Sequence, residues 1–154
     1  MVFTPRKRNR IPEYDYSAAN YYFLTICTHE KKCIFGTTYR LNWMGEKVKE
    51  YIEKINDIYP QVRVDKYVVM PNHVHMILVL EGNDPPSVSH IISQFKGALS
   101  KEARKRDPQM QLWQRSFYDH VIRDQRGYEQ IWNYIDGNPQ CWEKDEMFVE
   151  NSPF

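Results

Sequence analysis

The tripeptide Met70-Pro71-Asn72 constrains this chain more than any other feature, because it separates two runs that both read as strands. Upstream, Val62–Val69 alternates and is rich in β-branched residues; downstream, His73–Leu80 is almost wholly apolar. Proline cannot donate to a ladder and asparagine tolerates turn geometry, so the two runs are predicted to be hairpin partners. Side chains two apart on a strand share a face. Val74, Met76, Leu78 and Leu80 therefore form one apolar, core-directed face, and His73 and His75 point the other way at the turn end. Two imidazoles roughly 7 Å apart along the backbone can converge on one divalent cation. The bland alternative is a pair of half-exposed histidines bonded to their neighbours. A third ligand decides between them.

The rest of the chain supplies alternating elements. Tyr21–Thr28 (YYFLTICT) reads as a first strand. Asn42 is a cap for a helix running to about Tyr59, with Val48, Tyr51, Ile52 and Ile55 at helical spacing and Pro60 as its stop. After the loop Asn83–Pro86, Ser87 caps a second helix whose stripe is Val88, Ile91, Ile92, Phe95 and Leu99. Leu112–Ile122 reads as a fourth strand, and a last helix runs from about Gln125 to Asn138, ended by Pro139. The order strand, helix, strand, strand, helix, strand, helix predicts an α+β, ferredoxin-like (RRM-like) antiparallel sheet with helices packed on one face, plus a C-terminal helix.

At 154 residues, 42% hydrophobic and 27% charged, the chain is predicted to be a single domain over residues 1–154. Residues 1–20 form an arm carrying Arg6, Lys7, Arg8 and Arg10. That composition excludes wholesale disorder, and no apolar run is long enough to span a membrane. Cys27, Cys33 and Cys141 lack CxxC spacing, and the basic N-terminus has no apolar segment after it. A soluble, cytoplasmic protein with reduced thiols is the expectation.

The last helix offers the third ligand. Tyr128, Ile131, Trp132 and Ile135 form its apolar stripe with Tyr128 near the centre, and Tyr128 fits plain core packing. Tyr134 and Asn138, an i,i+4 pair, lie together at one edge. An amide oxygen beside a phenol could supply a metal ligand next to a nucleophile.

The runs KYVVMPNHVHMIL, SVSHIISQFKGALSKEARK and LWQRSFYDHVIRDQRGYEQIWNYIDGNP occur in that order, and the arm RKRNRIPEYDYS precedes YYFLTICT. Together they resemble the single-tyrosine transposases of the HUH superfamily, and more narrowly the REP-associated branch found beside repetitive palindromes in bacterial genomes. The resemblance spans nearly the whole chain. It implies that His73 and His75 bind a divalent metal, that Tyr134 on the catalytic C-terminal helix attacks DNA, and that Asn138 completes the metal site. Insertion-sequence members usually carry Gln at that last position, so Asn138 favours the REP-associated branch. Members act as dimers that donate the tyrosine helix in trans, or as monomers.

The implied chemistry is coherent in itself. Tyrosine, with a pKa of about 10, is a poor nucleophile at neutral pH, and a cation beside the scissile phosphate would offset the charge that develops. Tyr134 would displace a 3′ hydroxyl and stay joined to the 5′ phosphate. Mixed N/O ligands suit Mg²⁺ or Mn²⁺. Net charge is only +1, so affinity for single-stranded or hairpin DNA rests on local clusters. These are the arm and the second helix, with Lys96, Lys101, Arg104, Lys105 and Arg106. Trp113, Phe117, Tyr118 and Trp142 are candidates to stack unpaired bases, while His29, His90 and His120 show no ligand spacing. A catalytically silent hairpin-binding module of the same fold is the alternative. A small-phosphate hydrolase is disfavoured by the basic clusters and the missing Gly-rich loop.

Overall fold

The structure, a computed structural model, describes residues 19–139 and Trp142. The basic arm residues Arg6, Lys7, Arg8 and Arg10, and Cys141, lie outside the described residues. The elements are β1 (Ala19–Cys27), α1 (Trp43–Glu53), α2 (Ile55–Ile58), β2 (Val62–Met70), β3 (His73–Glu81), α3 (Val88–Arg106), β4 (Tyr118–Ile122) and α4 (Gln125–Gly137). The four strands form one antiparallel sheet in the order β2-β3-β1-β4. That order, with α1 and α3 as crossovers, is the ferredoxin-like arrangement.

The hairpin at Met70-Pro71-Asn72 forms as expected, with Met70 opposite His73 and Val69 opposite Val74. Farther along, β2 departs from strict alternation. Register slips at a bulge between Val64 and Lys66, so Val62 and Val64 face the main core before the bulge and Tyr67 and Val69 after it. The extra residue, Asp65, turns its carboxylate to the opposite face, where it accepts the Tyr128 hydroxyl at 2.7 Å.

One face of the sheet carries the large core. Met76 and Leu78 of β3 pack there with Val48 and Ile52 of α1 and Ile92 and Leu99 of α3, all essentially inaccessible. Asn42 caps α1 by accepting the Gly45 N–H at 2.9 Å. The helix expected to run on to Tyr59 is interrupted at Lys54, which ends α1 and begins α2. Tyr59 is extended, as the residue before Pro60 must be.

The fourth strand begins at Tyr118, not Leu112. Trp113 makes only an isolated bridge to Thr28. Beyond it the Lys96 ammonium takes the carbonyl of Gln114 at 2.7 Å and that of Ser116 at 3.3 Å. A side chain from α3 thus claims carbonyls that a ladder would have used.

The second face is covered by α4, which lies over β2 and β3. A smaller cluster of Phe23, Ile77, Val79, Ile122, Ile131 and Ile135 joins them. Asp124 caps the helix by accepting the Gly127 N–H at 2.7 Å.

Candidate active site

β3 is an inner strand, and its second face is roofed by α4 and Trp142, so the histidines are not half-exposed. His73 is 0% and His75 3% accessible. Their ring centroids are 4.5 Å apart, closer than the backbone spacing, because the rings tilt toward each other. Trp142, offered by the sequence as a base-stacking ring, is buried with its ring 6.1 Å from that of His73.

Second contacts fix which nitrogen of each ring carries the proton. Asn72 donates through Nδ2 to the Lys31 carbonyl at 3.1 Å, which leaves its Oδ1 to face His73 Nδ1 at 2.8 Å. An amide oxygen only accepts, so Nδ1 is protonated and the lone pair sits on Nε2. His75 Nδ1 lies 2.9 Å from Thr25 Oγ1. His75 also bonds the Leu24 backbone, while its Nε2 is buried without a hydrogen-bond partner, so again Nδ1 is the donor.

Both rings are held neutral. Burial lowers the His73 pKa to about 4; the Asn138 side chain opposes it, and the nearby Lys31 charge, the smallest of the three influences, adds to the lowering. Burial and the neighbouring His73 push His75 well below the ordinary histidine value. Neutral imidazoles are the form that binds metal.

Asn138 sits at the end of α4, 3% accessible, with its Oδ1 buried and lacking a hydrogen-bond partner. Among the described residues no three His, Cys, Asp or Glu side chains come together, and the Asn138 amide is the third ligand that the sequence resemblance implies beside the two histidines. A buried imidazole nitrogen and a buried amide oxygen, neither hydrogen-bonded, are a donor set that fits a divalent cation.

The helix is rotated relative to the sequence expectation. Its buried residues are Ile131, Ile135 and Asn138, which moves the centre of the stripe by roughly 50° from Tyr128 toward Tyr134. Trp132, placed in the stripe, is instead 36% exposed with the Lys66 ammonium 4.8 Å from its ring. Tyr134 is 36% exposed, and its ring lies 5.3 Å from that of His75 and 6.2 Å, edge-on, from Phe23. The Asn138 Nδ2 donates back to the Tyr134 carbonyl at 3.4 Å. Tyr134, His75 and Asn138 therefore meet within one chain.

Of the α3 cations, Lys96 is half-buried on the two carbonyls noted above, and Arg104 donates to the Met110 carbonyl at 3.3 Å. Both line a cleft of about 450 Å³ with His29, Ser100, Trp113 and Arg115. Lys101 is exposed outside that cleft. Lys105 pairs with Glu102 and Arg106 stacks on Trp43. Asn72 and Thr25 carry no signal in the sequence, because an Asn in a turn and a Thr in a strand are the ordinary occupants of such places.

A sheet with a buried His pair on an inner strand and a tyrosine–asparagine helix across it defines a class. Residues 15–138 match the family of IS200-like transposases, and the chain belongs to that family. It is 36% identical to an uncharacterised protein of Haemophilus influenzae, over 94% of both chains. It is 28% identical to a second protein of that organism, named "Putative REP-associated tyrosine transposase", over 81% of this chain and 73% of that one. Among solved structures, a REP-associated tyrosine transposase bound to a REP hairpin shares the fold, with a TM-score of 0.58 and 22% identity over 89% of this chain and 73% of the other. The single-tyrosine transposases, and their REP-associated branch, are the relatives the sequence motifs indicated. Among the described residues no helix is long and apolar enough to cross a membrane.

Proposed function

We propose that this chain is a metal-dependent, single-stranded DNA endonuclease and strand transferase that acts at hairpin DNA in the cytoplasm. In this reading His73, His75 and Asn138 hold Mg²⁺ or Mn²⁺, and Tyr134 is the nucleophile. One observation carries it: His75 Nε2 and Asn138 Oδ1 are buried without hydrogen-bond partners, beside a partly exposed phenol whose ring is 5.3 Å from His75. A merely structural histidine pair would satisfy those atoms.

The cation supplies Lewis-acid polarisation of the scissile phosphate and offsets its charge. Asn72 and the Leu24 backbone hold the imidazoles in the tautomers that present Nε2. The Tyr134 Oη loses its proton to solvent and attacks phosphorus, the bond to the 3′ oxygen breaks, and a 5′-phosphotyrosine forms. A free 3′ hydroxyl reverses the step and joins a new strand, so no outside energy source is needed. Because Tyr134 reaches His75 of its own chain, the geometry favours action in cis.

The solved relative bound to a REP hairpin supports hairpin DNA as the partner here. Lys96, Lys101 and Arg104, with Arg6, Lys7, Arg8 and Arg10 of the arm, are the proposed phosphate contacts. The test is incubation with labelled hairpin DNA and Mn²⁺ followed by a denaturing gel. Wild-type protein should give a covalent protein–DNA band and Tyr134→Phe none. A band that persists in Tyr134→Phe overturns the assignment.

A further inference from the structure

In the register of the sheet, His75 pairs with Thr25, and Thr25 pairs on its other side with Tyr118. The three side chains therefore share one row and one face, the face of α4. Across that row Tyr118 stands roughly 10 Å from His75, two strand spacings away. The helix lies over β2 and β3 and reaches β1 through the contact of Tyr134 with Phe23. It leaves the first half of β4 open: Tyr118, Asp119 and His120 are all exposed, whereas Val121 and Ile122 are buried. Tyr118 is 51% exposed, more than Tyr134. Strand parity turns Asp119 to the opposite face and His120 to the same face as Tyr118, so this open strip carries no carboxylate from β4.

A large ring lying bare on a sheet face, in line with the candidate site, has no packing role that explains its exposure. We infer that Tyr118 is the stacking platform for an unpaired DNA base adjoining the scissile phosphate, so that the strand runs from the Tyr134 site across β1 onto β4. This rests on the proposed DNA-cleavage reading. Its occupant is single-stranded DNA and not a protein, because the exposed strip presents one large ring, lies in the same sheet row as His75, and carries no carboxylate from β4 on its face. Aromatic platforms on exposed sheet faces hold unpaired bases in this way, and they tolerate any base.

The experiment uses the full chain and measures binding, not cleavage. A hairpin with a single-stranded extension carrying 5-iododeoxyuridine is bound, irradiated and mapped by mass spectrometry, with the bare hairpin as control. A crosslink on the peptide containing Tyr118 is expected. Tyr118→Ala should bind the extended hairpin roughly ten- to a hundredfold more weakly, while binding of the bare hairpin is unchanged. Tyr118→Phe and Tyr118→Trp should bind as wild type, since both keep a stacking ring. Equal affinity of Tyr118→Ala and wild type for the extended hairpin, or crosslinks confined to other peptides, overturns the platform and leaves the cleavage reading standing. Failure of wild-type protein to bind either DNA overturns both.

Discussion

The two faces of this sheet spend their burial differently. The face under α1 and α3 is dry and apolar, built from side chains such as Met76, Leu78, Ile92 and Leu99. The face under α4 has two small apolar clusters, one around Ile77, Ile131 and Ile135 and one of Cys33, Met70 and Trp142 beside the histidines. Among the described residues every buried polar side chain belongs to the network at the histidine end: Thr25, Thr28, Asn72, His73, His75 and Asn138. Thr28 joins by donating to the Asn72 carbonyl at 3.1 Å. Buried polar groups contribute little net stability even when bonded, and cost more when they are not. The contrast teaches that the first face supplies the folding free energy, which lets the second hold the unbonded lone pairs of His75 Nε2 and Asn138 Oδ1 in place.

A pair of substitutions tests that division most directly. His75→Leu removes the proposed ligand yet keeps an apolar side chain of similar bulk. It should abolish adduct formation, by a thousandfold or more on the scale of about 4 kcal/mol for losing an essential electrostatic group. Its urea midpoint should stay within about 1 kcal/mol of wild type. Leu99→Ala on the other face should cost about 3 kcal/mol, because it opens a cavity under a wholly buried side chain. Both urea curves decide the matter. If His75→Leu is as destabilising as Leu99→Ala, the two faces are equally structural and the contrast collapses.

Proton linkage gives a smaller effect with a defined sign. In the metal-free protein the His73 pKa is lowered to about 4 from its ordinary 6.5. The unfolded chain therefore binds protons more readily than the folded one between those values. Stability is full above pH 6.5, falls as pH drops through that window, and stops falling near pH 4. For one histidine the slope is roughly 1.4 kcal/mol per pH unit, and His75, shifted in the same direction, steepens it. Subtracting the curve of the His73→Leu/His75→Leu double variant isolates the pair from the carboxylates. A difference curve that is flat from pH 7 to pH 5 would show the rings are not held neutral by burial.

The same contrast explains what could be read in advance. The hairpin, the faces of β3 and the caps at Asn42 and Ser87 follow from local rules of period and turn chemistry, and they stand as expected. The rotation of α4 did not follow, because Tyr128 and Trp132 score as apolar in any pattern. In place, one bonds a carboxylate and the other carries a lysine on its ring. The bulge at Asp65 was hidden because Val62, Val64 and Val68 look like unbroken alternation. Burial of the histidines depends on Trp142, which sits far along the chain with nothing local to mark it. The shortened β4 depends on Lys96, whose partners are backbone carbonyls that no sequence displays. Each miss is a long-range contact overriding a local one.

The smallest effect, and the one that fixes the helix phase, concerns Tyr128. Its ring lies edge-on to Tyr21 at 5.8 Å, and its hydroxyl donates to Asp65 Oδ2 at 2.7 Å. Burial, and then the bond to Asp65, raises the phenol well above its ordinary value, so it is ill-suited to act as a nucleophile. Tyr128→Phe keeps the ring and loses only the hydroxyl. Asp65 is not stranded, because its Oδ1 still accepts from Arg63 Nε at 2.7 Å. The cost should therefore be about 1 kcal/mol, read as a shift in urea midpoint. Covalent adduct formation should match wild type, because the lost hydroxyl points at the bulge of β2 and away from His75. The two tyrosines lie on opposite margins of the buried stripe of α4, so one helix phase cannot serve both as nucleophile. An adduct lost in Tyr128→Phe and kept in Tyr134→Phe, with both proteins folded, would mean that the helix turns the other way over the sheet, and the partition of the second face would have to be redrawn.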